Sequence, residues 1–262
     1  MPSNVFIPTS HNLSIAWAEV FLRLMERGMA ELTDVIVTVT DFDEQGVAKE
    51  APAIRGRLDQ ELTVQSKQSC HTVGNTIFPQ NLWNSAPKDG AQRLYKRYTK
   101  IWSSVARCQA NRRGVYFQRL IAYAPKNYTG KPINQLQHVI DTYHQGNHRR
   151  SALQAAVFDP TRDHSDSRRL GFPCLQQGGF TPVDNGGLRI TGIYPMQYVI
   201  KRAYGNYLGL CRLGRIMAAQ MGLSLVEMRC IATTMRRGER KTSLQGLATD
   251  VQQILANLQG DA

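Results

Sequence analysis

The chain is short of several things, and each shortage excludes a class. No apolar run approaches the roughly 18 residues that cross a bilayer, so no membrane partner is expected. The five cysteines (Cys70, Cys108, Cys174, Cys211 and Cys230) are odd in number and form no CxxC, which excludes a disulfide framework or a redox pair. Histidine and cysteine never fall at zinc spacing, so no metal is expected. There is no internal repeat, low-complexity tract or composition break that would mark a linker, and one domain over residues 1–262 is expected. Met1-Pro2-Ser3-Asn4 lacks the basic start and apolar stretch of a signal peptide, so the expected compartment is the reducing cytoplasm. Acidic residues are scarce as well: 20 Asp and Glu stand against 32 Lys and Arg, a formal charge of +12.

What is present can build a core. Of 262 residues, 42% are hydrophobic and 20% charged, which excludes an intrinsically disordered chain. The basic residues are mostly arginine, the better fork for phosphate and carboxylate, which points to an anionic partner: nucleic acid or a small phosphorylated ligand.

Periodicity predicts a helix over residues 13–27, with Gly28 as its stop, and a β-branched strand at Val35-Ile36-Val37-Thr38-Val39. Residues 41–60, punctuated by Gly46 and Pro52, read as hairpin and loop. Residues 91–109 read as a helix with one basic face, and 115–123 as extended chain. A helix from Ile133 to Tyr143 closes at Gly146, a strand runs from Ala152 to Phe158, and 159–171 read as surface loop. Leu188–Ile193 is a strand. A long buried helix runs from Met196 to Gly222, its Gly205, Gly209 and Gly214 allowing close packing. A strand near 225–233 and a helix near 246–258 finish the chain. The irregular mixture, without a βαβ beat, argues for the α+β class.

Four places carry chemical interest. Cys174, after Pro173 and opening a Gly-rich stretch, is a nucleophile if a cation lowers its pKa, and otherwise an ordinary half-buried cysteine. Arg149 and Arg150 sit together at a helix-to-strand turn, as phosphate ligands or as a solvated basic turn. Asn206 is a poor choice inside an apolar helix; its amide reads a base edge or bonds a neighbouring turn. Trp102 and Tyr116 are aromatics among polar neighbours, and each could equally be a core residue.

Taken together these pieces resemble the thymidylate synthase superfamily, which includes the pyrimidine nucleotide hydroxymethylases. The resemblance is clearest over residues 133–223. It rests on Asn134-Gln135-Leu136-Gln137-His138-Val139-Ile140, Asn147-His148-Arg149-Arg150-Ser151, Ala156-Val157-Phe158-Asp159-Pro160, Pro173-Cys174, and Asn206 followed by Met217-Ala218-Ala219-Gln220. Ile101-Trp102 and Val115-Tyr116 extend it towards the N-terminus. The resemblance implies a mixed sheet packed with helices and C5 hydroxymethylation or methylation of a pyrimidine nucleotide with 5,10-methylenetetrahydrofolate. Cys174 would add to C6, Tyr116 would help move the C5 proton, Trp102 would face the folate, and Asn206 would read the base. Arg149 and Arg150 would cross a homodimer interface to the other subunit's phosphate.

The departures are as specific. Leu175 stands where the family has His, Tyr194-Pro195-Met196 where it has Gln-Arg-Ser, and Tyr198 near its Asp. The His-x-Tyr that holds the ribose is absent, and nothing in Cys70-His71-Thr72-Val73-Gly74 replaces its catalytic Glu. General acid–base help of that kind contributes roughly 10²–10⁴-fold. Arg189, Lys201 and Arg202 are the candidates to compensate on phosphate. The alternative is therefore a protein that binds a nucleotide without turnover. A nucleic-acid binder ranks last, because much of the arginine can line the ligand cleft and dimer seam.

Overall fold

The computed structural model describes residues 6–83, 90–164, 166 and 172–260. Mixed α and β elements surround one open sheet. In chain order they are β1 (Thr9–Ser10), α1 (Leu13–Leu24), β2 (Glu31–Thr40), α2 (Pro52–Val64), α3 (Cys70–Ile77), α4 (Gly90–Arg107), α5 (Tyr116–Ile121) and α6 (Gln135–His144). Then come β3 (Gln154–Ala156), α7 (Pro160–Asp163), β4 (Gln177–Val183), β5 (Gly187–Tyr194), β6 (Gln197–Tyr198), α8 (Tyr204–Met221), β7 (Ser224–Arg236) and α9 (Gln245–Gly260).

The sheet runs β1-β2-β7-β5-β4-β3, with β6 paired to the far end of β7. It is mixed: β7 is antiparallel to β2 but parallel to β5, while β4 is antiparallel to β5 and to β3. The register aligns Ile190 with Met228 and Val37 with Cys230, and all four are buried in the core. Trp17, on α1, is fully buried and donates its indole N–H to the Val199 carbonyl at 2.9 Å, tying the first helix to the approach to α8.

Helix α8 runs through the core, and glycine lets it do so. A Cβ on Gly205 would lie 2.5 Å from Cβ of Val73, and one on Gly209 would lie 2.8 Å from the Gly74 carbonyl oxygen. Any side chain at these two positions would push α8 off α3. The helix ends at Gly222, whose φ of 70° is the left-handed C-terminal stop that the sequence predicts.

Five expectations are corrected. The helix expected from Met196 begins as α-helix only at Tyr204, because Gln197–Tyr198 pairs with β7 and Val199–Ala203 forms a π-helical turn. Residues 52–64 form α2 rather than loop: Pro52 opens the helix at its first turn, where its missing N–H is harmless, and Ile54, Leu58 and Leu62 recur every four residues on the buried side. Tyr116–Ile121 is helix, not extended chain, because Phe117, Leu120 and Ile121 fall on one buried face despite a strand-like composition. The strand expected over 152–158 is only Gln154–Ala156, preceded by a 3-10 turn at Arg150–Ala152. The loop expected over 159–171 contains α7, with Asp159 and Asp163 buried. Ser165 and residues 167–171 of that loop, like Met1–Asn4, lie outside the described residues. No described helix is long and apolar enough to cross a membrane.

Candidate functional site

The chain leaves β6 through a π-helical turn, Val199–Ala203, before entering α8. The turn buries Val199, Ile200 and Ala203 and leaves Lys201 half-buried and Arg202 exposed. Asn206 follows within the first turns of α8. Lys201, Arg202 and Asn206 line a cavity of about 590 Å³ whose wall also carries Cys174, Tyr116 and Phe172. Three residues singled out from sequence (Cys174, Tyr116 and Asn206) therefore meet around one space.

Tyr116 starts α5, and its hydroxyl oxygen accepts the backbone N–H of Cys174 at 3.3 Å. Its ring stacks on Phe172 with centroids 5.2 Å apart, and the Phe172–Pro173 peptide bond is cis. Behind Phe172 stands Arg119, its guanidinium carbon 4.7 Å from the ring centroid. Arg119 is itself buried. It forms a two-pronged ion pair with Asp163, one contact at 2.8 Å, and donates to the Val157 carbonyl at 2.8 Å. A buried charge pair thus backs the aromatic stack that holds the cysteine loop.

The electrostatics at Cys174 differ from the expectation of a lowered thiol pKa. Burial pushes the Cys174 thiol above its ordinary value, and this outweighs the charge of Arg202 and the hydrogen bond with Tyr116, both of which pull it down. Burial likewise raises the Tyr116 phenol. The cation that acts on the thiol is Arg202, on the turn before α8. Arg149 and Arg150 are exposed and do not line the cavity.

Asn206 is 2% exposed, and its side-chain oxygen has no hydrogen-bond partner among the described residues. An unmade hydrogen bond on a buried polar group costs about 1–3 kcal/mol. A ligand N–H at that oxygen would remove the cost. Gln197, equally buried and also lining the cavity, shows the same pattern: its amide nitrogen donates to Sγ of Cys230 at 3.2 Å, while its oxygen is unpaired. No motif in the sequence marks Gln197. The signal it carries is a polar residue closely followed by the apolar run Val199-Ile200.

The other predicted residues fall elsewhere. Trp102, on α4, stacks on Tyr98 with centroids 6.1 Å apart and does not line the cavity. Of the three candidates to compensate on phosphate, Arg189 pairs with Glu227 at 2.8 Å and lies outside the lining. Lys201 lines the cavity but pairs with Glu239 at 2.7 Å. Arg202 lines it and takes the side-chain oxygen of Gln68 at 3.0 Å. Lys67, unmarked in sequence, is a further lining cation. Among the described residues no Asp or Glu lines the cavity, and no group of three His, Cys, Asp or Glu forms a metal cluster. No protein-family model matches the chain, and no curated protein matches it.

Proposed function

We propose that the chain is a thymidylate-synthase-like transferase that places a hydroxymethyl or methyl group on C5 of a pyrimidine nucleotide, with Cys174 adding covalently to C6 of the base. The observation that carries this reading is the convergence on one cavity of a half-buried thiol, the hydroxyl that holds its backbone, and a buried amide with an unpaired oxygen. A mixed sheet packed with helices is compatible with the fold that the resemblance implies.

In this reading Asn206 holds the base edge with one donor and one acceptor. The Cys174 thiolate gives its electron pair to C6, and the C5–C6 pair moves onto C5, where the C4 substituent delocalises it. C5 can then exchange its proton, with Tyr116 beside the cysteine loop. Expulsion of the thiolate restores the double bond, so that covalent addition replaces one hard carbanion step by easier ones. Arg202 and Lys67 supply the cationic side for phosphate. Arg149 and Arg150, exposed and without an ion-pair partner among the described residues, are free to reach a second subunit of a homodimer. 5,10-Methylenetetrahydrofolate, when bound, supplies the one-carbon unit. The lining fits the nucleotide better than the folate, because Trp102 stands outside it, and the steps derived above involve only the nucleotide.

The alternative, nucleotide binding without turnover, is favoured by the absence of a described carboxylate in the lining and by the raised thiol. Incubation with UMP, dUMP, CMP or dCMP and methylenetetrahydrofolate separates the two. Mass spectrometry of a hydroxymethylated or methylated base supports transfer, and a nucleotide that binds and is recovered unchanged supports the alternative.

A further inference from the structure

The charge of this chain is concentrated in one stretch. Residues 90–140 contain ten Lys or Arg and no Asp or Glu; removing those ten from the 32 leaves 22 basic against 20 acidic residues elsewhere. Five of the ten fall on α4. Arg93, Lys96, Arg97, Lys100 and Arg107 recur at three, four and seven, so they form one stripe, opposite the face that buries Leu94, Tyr95 and Tyr98. All five are exposed, and none forms an ion pair with another described residue. At about 1.5 Å per residue the stripe is about 21 Å long.

It also leads somewhere. After α4 the chain turns at Gln109–Asn111, and Arg112 and Arg113 follow, both exposed. Their neighbours Asn111 and Gly114 line the cavity that holds Cys174. The basic stripe is therefore continuous with the edge of the site.

We propose that the α4 stripe and the Arg112–Arg113 turn bind the phosphodiester backbone of a single-stranded nucleic acid. Arginine outnumbers lysine five to two across these positions, which suits phosphate better than a solubilising surface would. A single strand rather than a duplex fits because the stripe ends beside a cavity with buried amides, where an unpaired base has an edge to offer. None of the seven basic residues lines the cavity itself, and strand binding does not require turnover.

The test is fluorescence anisotropy with a labelled 12-nucleotide single strand of mixed sequence, titrated over a range of NaCl concentrations. Single-strand contacts contribute about −0.7 each to the slope of log K against log salt, so five engaged phosphates give a slope of about −3.5. The K96Q/R97Q/K100Q variant is expected to weaken binding by about tenfold or more and to flatten the slope by about 2. The R27Q/R162Q/R240Q variant carries the same net charge with its changes elsewhere, and is expected to bind within about twofold of the parent. Equal weakening in both variants, equal affinity for polyglutamate, or no saturable binding at 50 mM salt overturns the proposal. Because the readout involves no chemistry, its failure leaves the nucleotide reading standing. Loss of C5 chemistry in turn does not touch the strand-binding claim.

Discussion

Asn206 and Cys174 show burial working in opposite directions on one site. At Asn206 burial leaves an oxygen unsatisfied, which favours any ligand that brings an N–H. At Cys174 burial holds the thiol protonated, and Arg202 recovers only part of the loss. The sign of the consequence is definite: raising a thiol pKa lowers its thiolate fraction at neutral pH. Alkylation of Cys174 by iodoacetamide, followed by peptide mass spectrometry, is therefore expected to lag that of exposed Cys108 at pH 7 and to gain as the pH rises past 9. Arg202→Gln removes a charge that lowers the thiol pKa and slows the reaction further. Faster alkylation of Cys174 than of Cys108 at pH 7 would show a cation winning over burial, the first of the two alternatives that the sequence leaves open.

At the scale of elements, the packing of α8 on α3 sets the position of Asn206. A Cβ on Gly209 would meet the Gly74 carbonyl oxygen at 2.8 Å and Cβ of Ile77 at 2.9 Å, and backbone cannot swing aside as a side chain can. Gly209→Ala is expected to cost about 1–3 kcal/mol, the usual penalty of overpacking, read as a lower urea midpoint. The helix propensity of alanine would stabilise an open position instead, so an unchanged or higher midpoint contradicts this packing. Much of this level was legible beforehand. Helix α1, strands β5 and β7 and helices α8 and α9 announce themselves because each buries a regular stripe or a β-branched run. Helix α2 was hidden by the charges and Gly56 between its three buried residues, and α5 by β-favouring residues in a helix of only six. The site was legible where a side chain is odd for its element, as Asn206 is in α8. It was illegible where the partner is distant in sequence: nothing in Lys67 or Arg202 alone says that they share a wall with Cys174.

At the scale of the molecule, the sheet, the π-helical turn and α5 bring residues 90 positions apart in sequence to one cavity: Tyr116 precedes β3, and Asn206 follows β6. The charge is partitioned rather than spread, with Arg202 and Lys67 at the cavity and the α4 stripe on an outer face. The proposed reaction rests on the addition of Cys174 to C6 of a pyrimidine held by Asn206. Release of tritium from C5 of UMP, dUMP, CMP and dCMP, with and without methylenetetrahydrofolate, reads that addition whatever the final product. Release is expected from at least one of the four, abolished by Cys174→Ala and reduced in Asn206→Ala. Release that persists in Cys174→Ala, or no release from any nucleotide that binds, would contradict it.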